Sequence, residues 1–168
     1  MSSRYQDALE SPGFLLWLAT LRWQRLMRST LRPHGLTHVQ FVILASLWWL
    51  TEHGARPSQR ELADHAGTDL TMTSQVLRVL ERQGHIVREP SPQDARTRCL
   101  GLTAQGRRVV LGALPEVEEA DRRFLDPVSD VTCFTQGLRG LTTKYGQRGL
   151  WRGTVEPAGG VSSGPTST

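Results

Sequence analysis

Residues 58–103 constrain the possible folds more than any other stretch of the sequence. The letters SQRE at Ser58 form a helix-capping box, and Gly67 supplies the break before a second helix, which Asp69 caps. Beyond Gly84 the hydrophobic period changes from helical to alternating. This stretch is therefore predicted to be a helix, a tight turn, a second helix and a two-stranded hairpin.

The second of these helices has two opposed faces. At about 100° per residue, hydroxyl, amide and guanidinium side chains share one stripe. Such groups read base edges and bind phosphates in the major groove of DNA. The polar stripe comprises Thr71, Ser74, Gln75, Arg78 and Arg82, whereas Val76, Leu77 and Leu80 face the preceding helix at Leu62, Ala63 and Ala66. An ordinary amphipathic surface helix has the same pattern when it is considered alone.

The hairpin is predicted to be a wing with a basic tip. Its strands are expected over residues 85–89 and 96–102, and two prolines stiffen the loop between them. Because side chains alternate along a strand, Arg96 and Arg98 share one face. Asp94 and Arg96 at such a tip are poorly explained as core residues, and a surface ion pair alone adds little stability. A role in contacting a partner is the more economical interpretation.

Four more helices flank this unit in the sequence. They are predicted over residues 13–32, 37–52, 103–125 and 128–145. Thr37 and Gln40 form another capping box, and Pro115 marks a potential kink in the long helix that follows the wing. The fold class is thus mostly α with a small β-hairpin, in a chain whose 168 residues and 38% apolar content suit one domain.

Composition narrows the function classes. The net charge is +4 and Lys144 is the only lysine, so the basic groups are almost all arginines, which suit bidentate contacts to phosphate and guanine. Biased genomic base composition also enriches arginine, so the arginine content alone does not identify a DNA-binding protein. Hydrolase, phosphate-loop and metalloprotease motifs are absent, so an enzyme is not expected. No signal peptide or membrane span is predicted, and the expected location is the cytoplasm.

Metal, disulfide and cofactor sites are not expected. Cys99 and Cys133 are far apart and have no ligand spacing, which favours a reducing compartment. The histidines are equally scattered, at His34, His38, His53, His65 and His85.

Taken in order, several segments resemble the multiple-antibiotic-resistance regulator (MarR) family over about residues 12–146. They are Leu36–Phe41 (LTHVQF), Ser58–Ala63 (SQRELA), Leu80–Gly84 (LERQG), Val87-Arg88, Asp94-Ala95-Arg96 and Leu102–Gly106 (LTAQG). The resemblance implies a winged helix-turn-helix over residues 36–106 with flanking dimerisation helices over 13–32 and 107–146. It leaves an N-terminal arm, residues 1–11, and a tail, residues 147–168, whose Gly, Ser, Thr and Pro content predicts disorder.

The resemblance also implies functional roles. The partner would be double-stranded operator DNA, bound by a homodimer whose interface the first, fifth and sixth helices form. The second helix of the helix-turn-helix pair would enter the major groove, and Arg96 would enter the minor groove, with Asp94 bracing the wing around it. The expected DNA-binding residues are Ser58, Gln59, Arg60, Thr71, Thr73, Ser74, Gln75, Arg78, Arg82, Arg88, Asp94, Arg96 and Arg98. Val79 departs from the pattern, because a basic residue is common there, and Arg78 is expected to replace part of that contact.

Many members of that family bind a small aromatic or anionic effector between the dimer base and the winged domain, which weakens DNA binding. The candidate residues here are Trp17, Leu21, Trp23, Trp48 and Trp49, with Arg22 and Arg25 as anion partners. Packing in the core and at the dimer interface is the alternative explanation for each tryptophan.

The functional hypothesis is a sequence-specific DNA-binding transcriptional regulator, acting as a dimeric repressor that a small-molecule ligand releases. One alternative is a ligand- or partner-binding dimerisation module without DNA binding. Another is a thiol-based redox-sensing regulator, although this sequence has no cysteine near the start of its first helix, where the family's peroxide sensors place theirs.

Overall fold

The computed structural model describes residues 4–90 and 98–145. Its helices are α1 (Pro12–Leu31), α2 (His38–Glu52), α3 (Gln59–Ala66), α4 (Leu70–Arg82), α5 (Ala104–Leu125) and α6 (Val131–Tyr145), and its strands are β1 (Ile86–Pro90) and β2 (Arg98–Leu102). The two strands pair antiparallel, with Ile86 opposite Leu102. A mostly helical chain with a two-stranded hairpin confirms the predicted fold class. The predicted tail and most of the wing loop lie outside the described residues.

The capping residues begin the helices where the sequence predicts. In the box before α2, the Gln40 amide donates to Thr37 Oγ1 at 3.3 Å, and the Thr37 amide donates to Gln40 Oε1 at 2.8 Å. Ser58 and Glu61 exchange the same pair of bonds before α3, at 3.3 and 2.7 Å. Gly67 then adopts the left-handed conformation, φ 66°, that ends α3 and turns the chain into α4.

Several boundaries differ from the prediction by one to three residues, and two of these differences have a clear cause. The last helix begins at Val131 rather than near 128, because Asp130 accepts the Cys133 amide at 2.8 Å and so caps it. The first strand begins at Ile86 rather than 85, because the His85 carbonyl accepts the Thr103 amide at 3.0 Å and joins the start of α5.

The winged unit packs around α2, which is buried or half-buried along most of its circumference. Phe41, Ile43, Leu44 and Leu47 of α2 are buried in the core. The core side chains from the other elements are Met27, Leu31, Leu36, Leu62, Leu77, Leu80, Ile86, Leu100, Val110, Ala113, Val117 and Ala120. The Leu100 amide also donates to the Pro57 carbonyl at 2.8 Å, which fixes β2 beside the start of α3. The wing is therefore attached to the helix pair by main chain as well as by core packing.

One apolar surface lies outside this core. The first half of α1 exposes Phe14, Leu15, Leu16 and Trp17, and α6 exposes Val131, Phe134, Leu138 and Leu141. Leu15, Leu16, Leu138 and Leu141 line a groove of about 800 Å³ between the two helices.

Candidate nucleic-acid interface

The polar stripe of α4 faces outward. Thr71, Gln75, Arg78 and Arg82 are exposed, and Ser74 is half-buried. Asp69 supports the start of this helix, since its carboxylate accepts the Met72 amide at 2.8 Å. Within residues 4–90 and 98–145, none of the five stripe side chains makes a hydrogen bond or an ion pair. Their donors are therefore available to a partner molecule.

Thr73 does not belong to this stripe, and the expectation that it faces the major groove was wrong. It is fully buried on the core side of α4. Leu77 and Leu80, four and seven residues further along the helix, lie on the same side. Its hydroxyl donates to the Asp69 carbonyl at 2.8 Å and lies 2.7 Å from the Thr68 hydroxyl. Both contacts hold the turn between α3 and α4.

The three candidates at the start of α3 have different surroundings. Ser58 is the helix cap, and its hydroxyl accepts the Glu61 amide. Gln59 is half-buried and its side-chain amide donates to the Leu70 carbonyl at 3.5 Å. Arg60 is exposed, and in the described part of the chain it has no ion-pair partner. Of the three, Arg60 is thus the one with an unengaged side chain.

The wing candidates also differ from one another. Arg98 is exposed at the start of β2, opposite Pro90. Arg88 on β1 is only 27% exposed at its side chain and forms an ion pair with Glu81 of α4, Nε to Oε2 at 3.1 Å. Asp94 and Arg96 lie outside the described residues, so their predicted roles rest on the sequence.

Glu81 is a residue whose role the sequence prediction missed. It is the only carboxylate in α4, a helix whose outward stripe is otherwise polar and basic. A carboxylate in that position repels the DNA phosphates unless a cation neutralises it. A single acidic residue in a basic helix is therefore the sequence signal that could have predicted a pairing with Arg88.

The candidate effector residues make separate ring contacts. The Trp23 indole donates to Asp121 Oδ1 at 2.7 Å, and its ring meets the His38 ring edge-on at 4.8 Å. Burial lowers the pKa of His38, and the Asp121 charge partly opposes that effect. Arg25 is exposed and Leu21 is half-buried.

The other aromatic candidates lie elsewhere along α1 and α2. Trp17 is 54% exposed and packs near Phe14, with ring centroids 5.6 Å apart. The Trp48 and Trp49 rings make an edge contact, with centroids 6.5 Å apart. The Trp48 Nε1 is buried and has no hydrogen-bond partner among the described residues. The structure therefore does not gather the tryptophans into one cluster.

Other kinds of site receive little support from the described residues. No group of three His, Cys, Asp or Glu side chains within them could hold a metal ion. None of their helices is long and apolar enough to cross a membrane. Cys99 is buried in β2 and Cys133 is exposed in α6, and both are free thiols.

Comparison with known proteins gives consistent matches. A sequence profile described as the MarR family matches residues 36–97. An uncharacterised HTH-type (helix-turn-helix) transcriptional regulator of Bacillus subtilis, YdcH, is 42% identical over 139 residues, which cover 83% of this chain and 95% of YdcH.

Solved structures agree with that match. CouR from Rhodococcus jostii RHA1 bound to p-coumaroyl-CoA superposes with a TM-score of 0.72 at 26% identity, covering 83% of this chain and 95% of CouR. The transcriptional repressor CouR bound to a 23-mer DNA duplex superposes with a TM-score of 0.69 at 26% identity, covering 86% and 99% of the two chains.

Proposed function

Because the chain belongs to the MarR family of transcriptional regulators, we propose that it is a dimeric repressor that binds a pseudo-palindromic operator. Its class is that of DNA-binding regulators of transcription, which are not enzymes. The observation that supports the proposal best is the outward stripe of α4. The inner side of α4 packs into the core. On its outer side, hydroxyl, amide and guanidinium groups make no hydrogen bonds or ion pairs with the described residues and are placed to enter a major groove.

Each proposed contact follows from side-chain chemistry. Thr71, Ser74 and Gln75 would contact base edges, since hydroxyl and amide groups form hydrogen bonds with specific bases. Arg78 would contact guanine or phosphate, and Arg82 would contact phosphate. Arg60 and Arg98 are proposed as further phosphate contacts. On the strength of the family resemblance, Arg96 of the wing is proposed to enter the minor groove, with Asp94 orienting it.

A second copy of the chain is the proposed partner of the α1–α6 surface. Exposed apolar side chains on both helices form a patch that monomeric proteins rarely leave in water. In a symmetric dimer the same patch would serve both subunits. The two α4 helices would then contact half-sites about 34–36 Å apart, one turn of DNA. Light scattering at micromolar concentration tests this proposal, and a monomer would contradict it.

An effector is proposed by analogy with CouR, whose structure contains p-coumaroyl-CoA. The junction of α1, α2 and α5 around Trp23 is the proposed location. Asp121 already accepts the indole N–H there, so its carboxylate disfavours an anionic group directly beside that ring. We propose an aromatic compound whose negative charge, where it has one, faces exposed Arg25 instead.

The proposed location of the protein is the cytoplasm, where it would bind its operator DNA.

Selection of bound duplexes from a random library, followed by shift assays at several salt concentrations, tests the function. Binding to a selected duplex, with affinity that falls steeply as salt rises, is expected. A dimer that binds no duplex even at low salt would instead favour the dimerisation module without DNA binding. Release of the duplex by peroxide, abolished by Cys99→Ser or Cys133→Ser, would favour a redox sensor. Screening aromatic compounds for release of the duplex then tests the effector.

A further inference from the structure

A chain of polar contacts runs along α4 and joins it to the wing and to α3. Arg88 of β1 donates from Nε to Glu81 Oε2 at 3.1 Å and from a terminal nitrogen to Gln59 Oε1 at 3.5 Å. Gln59 of α3 donates in turn to the Leu70 carbonyl at 3.5 Å. Glu81 lies in the last turn of α4 and Leu70 is its first residue, about 16 Å away along the helix axis. The contacts thus attach both ends of the helix.

The arginine of this ion pair is more covered than other paired arginines on the surface. The Arg88 side chain is 27% exposed, whereas Arg122 and Arg123, which pair with Glu119 on α5, are 66% and 72% exposed; the carboxylates Glu81 and Glu119 are similarly exposed, at 43% and 40%. Partial burial reduces screening by water and salt, so an ion pair holds its geometry better there than in the open. Arg88 and Glu81 also belong to different elements, so the pair fixes the wing strand relative to α4.

The same contacts change what Arg88 can give to DNA. Two of its nitrogens already donate inside the protein, and its charge is balanced by Glu81. Glu81 without Arg88 would place an uncompensated negative charge on the helix that also presents Arg78 and Arg82. Such a charge would repel the phosphate backbone.

We propose that Arg88 and Gln59 are positioning residues that hold α4 against the wing and α3 and neutralise Glu81, rather than contacts to phosphate. This inference rests on the proposed binding of DNA through α4. It assigns Arg88 a different role from that of Arg82, although both are arginines beside the same helix end. A phosphate contact releases counterions and steepens the salt dependence, whereas a neutral internal pair does not.

The test compares Arg88→Met, Glu81→Gln and the double variant with the wild type. Kd is measured for the duplex selected by the wild type and for a random duplex over a series of salt concentrations. Arg88→Met should weaken operator binding about tenfold, because Glu81 is left unpaired and α4 loses its support. Adding Glu81→Gln should restore affinity to within about threefold of the wild type. The double variant should keep the wild-type slope of log affinity against log salt.

Arg82→Met is the matched control, since Arg82 is exposed and unpaired within the described residues. Its slope should become shallower by about one. A double variant whose slope is shallower by the same amount would make Arg88 a phosphate contact and overturn the proposal. A wild-type chain that selects no duplex would overturn the proposed function, and this inference with it, so the two failures are distinguishable.

Gln59→Leu supplies a second readout that changes no charge, in case urea unfolding shows that Arg88→Met is not folded. Loss of the amide should lower the preference for operator over random DNA about threefold and leave the salt slope unchanged. Wild-type preference in a folded Gln59→Leu variant would show that Gln59 does not position α4 and would overturn the proposed positioning role.

Discussion

Trp23 on α1 donates its indole N–H to the Asp121 carboxylate on α5, at 2.7 Å and across 98 residues of sequence. The His38 ring, at the start of α2, makes an edge-to-face contact with the same indole, with ring centroids 4.8 Å apart and the two planes at 89°. Trp23 of α1 therefore contacts both α5 and α2. Trp23 thus joins the two flanking helices α1 and α5 to α2 of the winged unit.

Trp23→Phe tests this hydrogen bond. Phenylalanine keeps most of the ring packing but has no donor, so the partly buried Asp121 carboxylate loses its partner. We expect the free energy of unfolding to fall by about 1–2 kcal/mol, measured in urea at fixed protein concentration. Gln24→Ala is the control, since Gln24 is exposed on the same helix outside the α1–α6 surface and should change stability by less than about 0.5 kcal/mol. Equal stabilities for the two variants would contradict a structural role for the bond.

Acidification should destabilise the protein through three histidines. Burial lowers the pKa of His38, His65 and His85 below the ordinary 6.5. The unfolded chain then binds protons more readily than the folded one, so this stability is full above pH 6.5 and is lost as pH falls towards the folded pKa values. Glu52 and Glu119 have pKa values lowered from 4.5, so their contributions persist until lower pH.

The measurement is the urea midpoint at about pH 7.5 and about pH 5.5, with the histidine rings followed by NMR. The midpoint should be lower at the acidic pH, and three rings should titrate below 6.5. A midpoint that stays constant or rises on acidification would contradict the prediction.

Gly106 and Gly112, both on α5, should respond oppositely to alanine. A Cβ on Gly106 would lie 2.0 Å from the His85 carbonyl oxygen, which is main chain and cannot turn away. We expect Gly106→Ala to cost about 3 kcal/mol. A Cβ on Gly112 would meet only the His34 ring at 3.9 Å, so Gly112→Ala should stabilise the helix by about 0.5–1 kcal/mol. Thermal or urea unfolding checks both, and a tolerated Gly106→Ala would contradict the close approach of α5 to His85.

The sequence predicts those features that depend on a few neighbouring residues. Capping boxes such as Thr37 with Gln40 involve hydrogen bonds over three residues, so the starts of α2 and α3 followed from the letters alone. Thr73 was misassigned because polarity was taken as a sign of exposure, although its position on the wheel is that of Leu77 and Leu80. The pairing of Glu81 with Arg88 depends on how the wing folds back against α4, which no local pattern specifies.

For the wing, Arg96→Ala should weaken binding to operator and random DNA by similar factors. A guanidinium in a narrow minor groove acts mainly through charge, so the slope of log affinity against log salt should become shallower by about one. Arg96→Lys should restore the slope but only part of the affinity, because lysine lacks the planar fork. Asp94→Ala should behave as a milder Arg96 variant. Unchanged affinity and slope in a folded Arg96→Ala protein would exclude the wing contact.

Gln75→Ala should change specificity rather than salt dependence. Gln75 is exposed in the middle of the α4 stripe, carries no charge and is available to form two hydrogen bonds with one base. We expect a cost of about 1–3 kcal/mol on the operator, relaxed preference at one base pair of each half-site, and an unchanged salt slope. Ser74→Ala should have a smaller effect of the same kind, since Ser74 is half-buried and has a single hydroxyl. Competition assays against duplexes with every substitution in one half-site measure these preferences. Equal losses on operator and random DNA would show that Gln75 supports the interface without reading a base.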